Sequence, residues 1–229
     1  MSQPYENVYL GNFILTLGYI AGHRNVPLNR IAIEQLQQTP GDTPIGDLVA
    51  AWEGRNFIFE FKRHEANVRW EFRKANRARL LEMVHKPKNS AETELLSTST
   101  AGHFMCFPIS VPIVTLTFMP YARIVNAPRQ DMRRRIDLTT FCTNLLDGAP
   151  KFGLPYREFS AYLSQLDEIA GVDSSGSGGG NAVIMNISKE GAISIVEAEN
   201  LHVLAKSLDM EKPGPVLEIE KTKSFGIGD

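Results

Sequence analysis

Residues 56–62, Asn-Phe-Ile-Phe-Glu-Phe-Lys, limit what this chain can fold into more than any other stretch. Phe57, Phe59 and Phe61 alternate with Ile58, Glu60 and Lys62, a period of two that a β-strand satisfies and a helix does not. Residues 45–52 are also rich in strand formers. Glu53-Gly54-Arg55 between them is a short connection with glycine where a positive φ is wanted, so residues 44–63 read as a β-hairpin. The pleat then places Glu60 and Lys62 side by side on one face. Asp47, near the start of the first strand, comes within reach of Glu60 across the pair.

Two carboxylates and a lysine in a half-buried strand pair are costly to desolvate, and a chemical role accounts for their presence. Carboxylate oxygens suit Mg²⁺, while a lysine can orient or deprotonate an attacking water and steady charge developing on a phosphate. Asp47 followed by Glu60-Phe61-Lys62 resembles the signature of the PD-(D/E)XK nuclease superfamily, in which an Asp and a (Glu/Asp)-X-Lys hold a divalent metal. The resemblance implies that Asp47 and Glu60 bind metal and that Lys62 is catalytic. It also implies a restriction-endonuclease-like α/β fold, with a central mixed β-sheet flanked by helices. Gly46 stands where the family's motif has proline. Many members carry a glutamate on the helix before the first strand, and Glu34, in a helix expected over residues 29–38, is the candidate for a further metal ligand. The resemblance covers roughly residues 29–119.

A Glu-X-Lys taken alone is also the pattern of a solvated strand face with a cross-strand ion pair worth under ~1 kcal/mol. The order of the surrounding elements favours the site. After Arg63 a helix is expected over residues 65–85, with Val68, Phe72 and Ala75 on one stripe and Arg69, Arg73 and Arg77 on another. That arginine stripe, with Lys74, is either a solvated face or a set of nucleic-acid phosphate contacts beside the metal site. Trp70 is either a base-stacking platform or a half-buried core residue.

Charge supports a polyanionic partner. The net charge is −2, yet residues 55–88 hold ten Lys/Arg against four Asp/Glu, and residues 158–229 hold five against twelve. The basic region suits nucleic acid, and the acidic C-terminal region suits a protein partner, a homo-oligomer contact or shielding of the basic patch. No apolar run is long enough to span a bilayer and no secretory leader is evident, so a cytoplasmic protein without membrane contact is expected. Cys106 and Cys142 lie in apolar settings that suit buried free thiols.

Elsewhere the pattern is coarser. Residues 9–20 fit strand or helix, residues 86–102 read as a polar Ser/Thr-rich connection, and residues 103–109 and 111–121 read as apolar strands broken by Pro108 and Pro112. Arg129, Arg133, Arg134 and Arg135 form a second basic cluster on a helix expected over residues 128–146. Residues 159–169 are an amphipathic helix ending at Gly171. The domain plan is therefore a nuclease-like α/β domain over residues 1–172, a flexible Gly/Ser linker over 173–181, and a C-terminal extension over 182–229. That extension is expected to form a β-hairpin and a helix near 198–208.

The expected function is a Mg²⁺- or Mn²⁺-dependent nuclease hydrolysing phosphodiester bonds in DNA, as in a prokaryotic defence or mobile-element system. The alternative is a catalytically inactive nuclease-fold subunit that binds nucleic acid or assembles with protein.

Overall fold

The computed structural model describes residues 4–26, 31–35, 47–52, 54–110, 114–171, 182–187 and 193–198. Its centre is a six-stranded mixed sheet in chain order. The strands are β1 (Ile31–Gln35), β2 (Leu48–Trp52), β3 (Arg55–Phe61), β4 (His103–Ser110), β5 (Val114–Pro120) and β6 (Ile136–Asp137). Each neighbouring pair is antiparallel except β3 and β4, which run parallel. A parallel neighbour needs a crossover, and here it consists of a 3-10 helix (Glu65–Arg73) and two α-helices, α2 (Ala75–His85) and α3 (Ser90–Gly102).

The sheet is covered on both sides. Leu48, Ala50, Phe57, Phe59, Phe61, Phe104 and Phe118 face α1 (Glu6–His23) and α4 (Leu138–Leu146). Val49, Ala51, Ile58, Met105, Phe107 and Met119 face α2, α3 and α5 (Tyr156–Ala170). Burial on both faces is why β2 and β3 are apolar almost throughout. α1 resolves the ambiguity over residues 9–20 as helix: Leu10, Phe13, Leu17 and Ala21 make one buried stripe. α5 matches the expected amphipathic helix and ends on Gly171 in the left-handed conformation.

Four expectations are corrected. Residues 31–35 form a strand, not a helix. Ile31 and Ile33 are β-branched, and pairing with β2 outweighs the helical spacing of the apolar positions. The helix expected over 65–85 is two elements separated at Lys74, whose backbone is extended. The polar stretch 86–102 contains α3, started by Asn89, whose side chain accepts from Glu92 N–H at 2.8 Å while Leu95 and Ser99 are buried. The helix expected over 128–146 begins only at Leu138, where Asp137 caps it; a 3-10 turn and β6 precede it.

Near the chain's C-terminal end β7 (Ala182–Ile187) and β8 (Ile193–Ala198) pair antiparallel, and β7 runs beside β1. The expected linker over 173–181 and helix residues beyond 198 fall outside the described residues.

Phe141, on α4, sits fully buried among aromatic rings: Phe118 stacked at 4.0 Å, Phe152 at 4.9 Å and Phe104 edge-on at 5.0 Å. Truncation there leaves a cavity that a rigid aromatic cluster fills poorly. Phe141→Ala is expected to lower the unfolding free energy by about 3–5 kcal/mol, read from the urea midpoint at unchanged slope.

Candidate active site

The pleat directs Glu60 to the face opposite the phenylalanine cluster, so a strand that is otherwise core carries a carboxylate inward. Leu48 lies opposite Phe59, which sets Asp47, one residue earlier, across from Glu60. Asp47 is fixed there from both sides: its N–H donates to Phe59 O at 2.9 Å, and its Oδ2 accepts from Phe61 N–H. Lys62 follows β3 and donates its N–H to Cys106 O of β4 at 2.8 Å, so the parallel neighbour anchors it. Its Nζ donates to Glu60 Oε1 and lies 3.1 Å from Glu71 Oε1.

The crossover supplies the rest. Glu71, on the 3-10 helix, is wholly buried and accepts from Tyr121 O–H at 2.7 Å. Lys74, at the junction of the 3-10 helix and α2, reaches Glu71 Oε1 at 3.1 Å and Glu60 Oε1 at 3.4 Å. Arg77, on the first turn of α2, places Nη2 3.4 Å from Glu60 Oε2 and its guanidinium over the Tyr121 ring. Three carboxylates and three cations thus share one site at the end of the β2–β3 pair. Glu60 is 2% exposed, whereas the Lys74 side chain is 48% exposed and opens the cluster to solvent. Behind Tyr121, the buried ring of His103 stacks at 4.2 Å and bonds Tyr162 through Nδ1 at 2.9 Å.

The electrostatics follow from this packing. Burial alone would raise the Glu60 carboxyl, but Lys62, Arg77 and Lys74 outweigh it and hold the group well below the usual carboxylate range. Burial alone would lower the Lys62 ammonium, but Glu60, Glu71 and Asp47 prevail and raise it above its ordinary value. Lys62 is therefore held as an ammonium here, a hydrogen-bond donor and a positive charge, which favours orienting a water over deprotonating it among the two roles expected for this side chain. Burial, reinforced by Arg77, keeps His103 neutral.

The expected site residues are brought together in part. Asp47, Glu60 and Lys62 meet. Glu34 lies on β1 opposite Val49 rather than on a helix. The helix preceding the hairpin is α1, and it offers Glu6, whose Oε1 accepts from Arg63 N–H at 3.3 Å. The arginine stripe is divided. A 3-10 helix turns about 120° per residue, so Arg69 and Arg73 do not share the face that an α-helix would give them. Both are exposed, but Arg77 is 1% exposed and committed to Glu60, so it is not a surface phosphate contact. In the second basic cluster Arg133 and Arg134 pair with Asp131, and Arg135 is drawn inward to Glu65 at 2.5 Å. Glu71, Tyr121 and His103 were not among the expected site residues. The only sequence sign of Glu71 is a carboxylate among arginines, which reads equally well as a surface ion pair.

As to metal, Asp47 and Glu60 offer hard oxygens of the type that Mg²⁺ or Mn²⁺ takes. Among the described residues no three His, Cys, Asp or Glu side chains gather as a metal-binding group. The donor chemistry fits a divalent ion in type, and seating one requires Glu60 to exchange an ammonium contact for it.

Two outcomes test the ionic cluster. Arg77→Ala should cost about 3–5 kcal/mol of stability by leaving Glu60 and Glu71 short of a buried partner, while Arg69→Ala should change stability by less than about 0.5 kcal/mol; paired urea titrations check this. The pH profile should be a plateau. A lowered Glu60 stabilises the fold above its ordinary value of 4.5, and that contribution disappears as pH falls below it. A raised Lys62 stabilises below its ordinary value of 10.5, and that contribution disappears as pH climbs past it. Urea midpoints across this range should be flat between those limits and fall outside them, with the acid limb weakened in Glu60→Gln.

No helix among the described residues is long and apolar enough to cross a membrane. Comparison of the chain with models of known families, with curated proteins and with solved structures returned no match.

Proposed function

We propose that the chain is a metal-dependent nuclease of the PD-(D/E)XK type that hydrolyses phosphodiester bonds in DNA. The observation that carries this reading is the meeting of Asp47, Glu60 and Lys62 at one end of the β2–β3 pair, with Lys62 Nζ on Glu60 Oε1. The order of elements supports it as well: a helix, three antiparallel strands, a helical crossover bearing cations, then a strand parallel to the third. A restriction-endonuclease-like fold has this plan, and on this reading Glu6 replaces Glu34 as the helix glutamate beside the motif.

Asp47 and Glu60 would hold Mg²⁺ or Mn²⁺, which when bound supplies Lewis-acid stabilisation of the phosphate and an acidified water. The protein's own residues do the rest. Lys62, held as an ammonium, can donate hydrogen bonds to a phosphate oxygen or orient the attacking water, and its fixed charge opposes the charge that builds in the transition state. Arg77 and Lys74 keep Glu60 ionised when the ammonium of Lys62 turns to substrate. Arg69, Arg73 and Lys74 supply exposed positive charge for the nucleic-acid backbone. The C-terminal hairpin and the acidic residues around it are the proposed place for a protein partner or a second copy, and the setting is proposed as prokaryotic defence or a mobile element.

One observation favours a second reading. Both Glu60 oxygens already face cations, Lys62 and Lys74 on one and Arg77 on the other, as expected of a nuclease-fold subunit that binds nucleic acid or assembles with protein without cleaving.

Incubation of the purified protein with single- and double-stranded DNA and RNA in Mg²⁺, Mn²⁺ or EDTA separates the two. Under the nuclease reading, cleavage needs the ion and falls by about 10²–10³-fold or more in Asp47→Asn and Lys62→Met. These near-isosteric changes keep packing, and a melting curve verifies the fold. Cleavage unchanged in both variants, or absent with every ion and substrate, removes the nuclease reading and leaves the binding one.

A further inference from the structure

Trp70 is 44% exposed, an unusual position for the largest apolar side chain, whereas Trp52, the chain's other tryptophan, is 3% exposed. The local geometry explains how it is held there. In a 3-10 helix residues three apart eclipse, so Trp70 and Arg73 stand in register and the Arg73 guanidinium rests 3.9 Å from the ring centroid. Arg69 approaches the same ring at 5.8 Å. Both carboxylates of this helix turn inward, Glu65 to Arg135 and to Gln130 N–H, and Glu71 to Lys62, Lys74 and Tyr121. The outward rows are left cationic and aromatic, with no acid of their own helix to balance them. Trp70 also directly precedes Glu71, which touches the Lys62 ammonium.

We infer that Trp70, clamped by Arg73, is a stacking platform for an unpaired base of the nucleic-acid strand delivered to the Asp47–Glu60–Lys62 centre. The substrate class rests on the nuclease reading above; the stacking itself does not require cleavage. An indole–guanidinium pair offers a flat apolar face with a positive charge behind it, which complements a base and its neighbouring phosphate. Paired bases inside a duplex have both faces covered by their neighbours, so the platform selects single strands or frayed ends. Stacking of this kind is tolerant of sequence, and discrimination here lies in strand state rather than in base identity.

The test is binding of end-labelled oligonucleotides of roughly 15 nucleotides to the full chain in EDTA, followed by anisotropy, with tryptophan emission recorded in parallel. Oligo-dT and oligo-U are compared with a hairpin-closed duplex; whichever single strand binds more tightly assigns the platform to DNA or to RNA. Single strands should bind more tightly than the duplex and quench the exposed Trp70. Trp70→Ala should weaken single-strand binding by about 5- to 150-fold, with Trp70→Phe retaining most of it and both variants melting as the parent does. Equal affinity for duplex and single strand, or an unchanged Kd in Trp70→Ala, overturns the platform. Because no ion is present, the result is independent of catalysis. Trp70-dependent binding without cleavage in Mg²⁺ or Mn²⁺ would end the nuclease reading alone, and metal-dependent cleavage of single strands indifferent to Trp70→Ala, with an unchanged Kd, would end the platform alone.

Discussion

The free energy of removing Glu60 from water is the constraint around which the rest of this molecule is arranged. A lone carboxylate in that position would abandon its charge or unfold the strand. The sheet alone cannot neutralise it: Lys62, just past the end of the same strand, also faces Glu71 and Asp47. Neutrality is reached only with Lys74 and Arg77, and these arrive on the crossover that β3 and β4 need in any case to run parallel. Sheet topology and charge balance are therefore the same problem here, solved by one segment.

The same balance explains why the candidate centre is closed yet adaptable. Each charge has a partner, so the cluster is tolerable in the core. Lys74 and Lys62 are long, flexible groups, however, and an ammonium can leave a carboxylate for a phosphate at lower cost than a packed side chain can move. Arg77 has no such freedom, being wedged under Tyr121 and wholly enclosed. The cluster thus has one rigid cation and two that can be redirected, which divides fixed support from movable charge among residues of the same sign.

What the chain discloses before folding depends on whether a pattern is local. The hairpin and the juxtaposition of Glu60 with Lys62 are legible because a period of two survives any tertiary context that keeps the strand. The amphipathic α5 is legible for the corresponding reason at a period of 3.6. Residues 65–85 mislead because Arg69, Arg73 and Arg77 fit an α-helix, while burial of Val68 and Glu71 three residues apart selects the tighter helix instead. The Ser/Thr content of residues 90–102 conceals α3, whose signal is the Asn89 cap with Glu92 rather than an apolar stripe. Glu34 misleads through tertiary pairing: a strand partner on β2 decides its conformation, and no nearby residue announces that partner. Glu71 and Tyr121 enter the centre from 11 and 61 residues beyond Glu60, a convergence that only the folded chain expresses.

The parallel pairing of β3 with β4 also has a kinetic consequence. Glu60 and Met105 are neighbours in the sheet but are separated by the whole crossover, so their contact closes a long loop whose entropy is lost before the contact repays it. The charges of the centre come from the start of that loop and from the crossover, while its far end supplies the Cys106 carbonyl that anchors Lys62. A chain with the β2–β3 hairpin formed and the crossover undocked would hold Glu60 with Lys62 alone, half exposed and poorly paired, and would gain little by persisting. The ionic centre is therefore coupled to sheet closure: its members complete one another only when the crossover is docked, which ties the pairing of β3 with β4 to the assembly of the site.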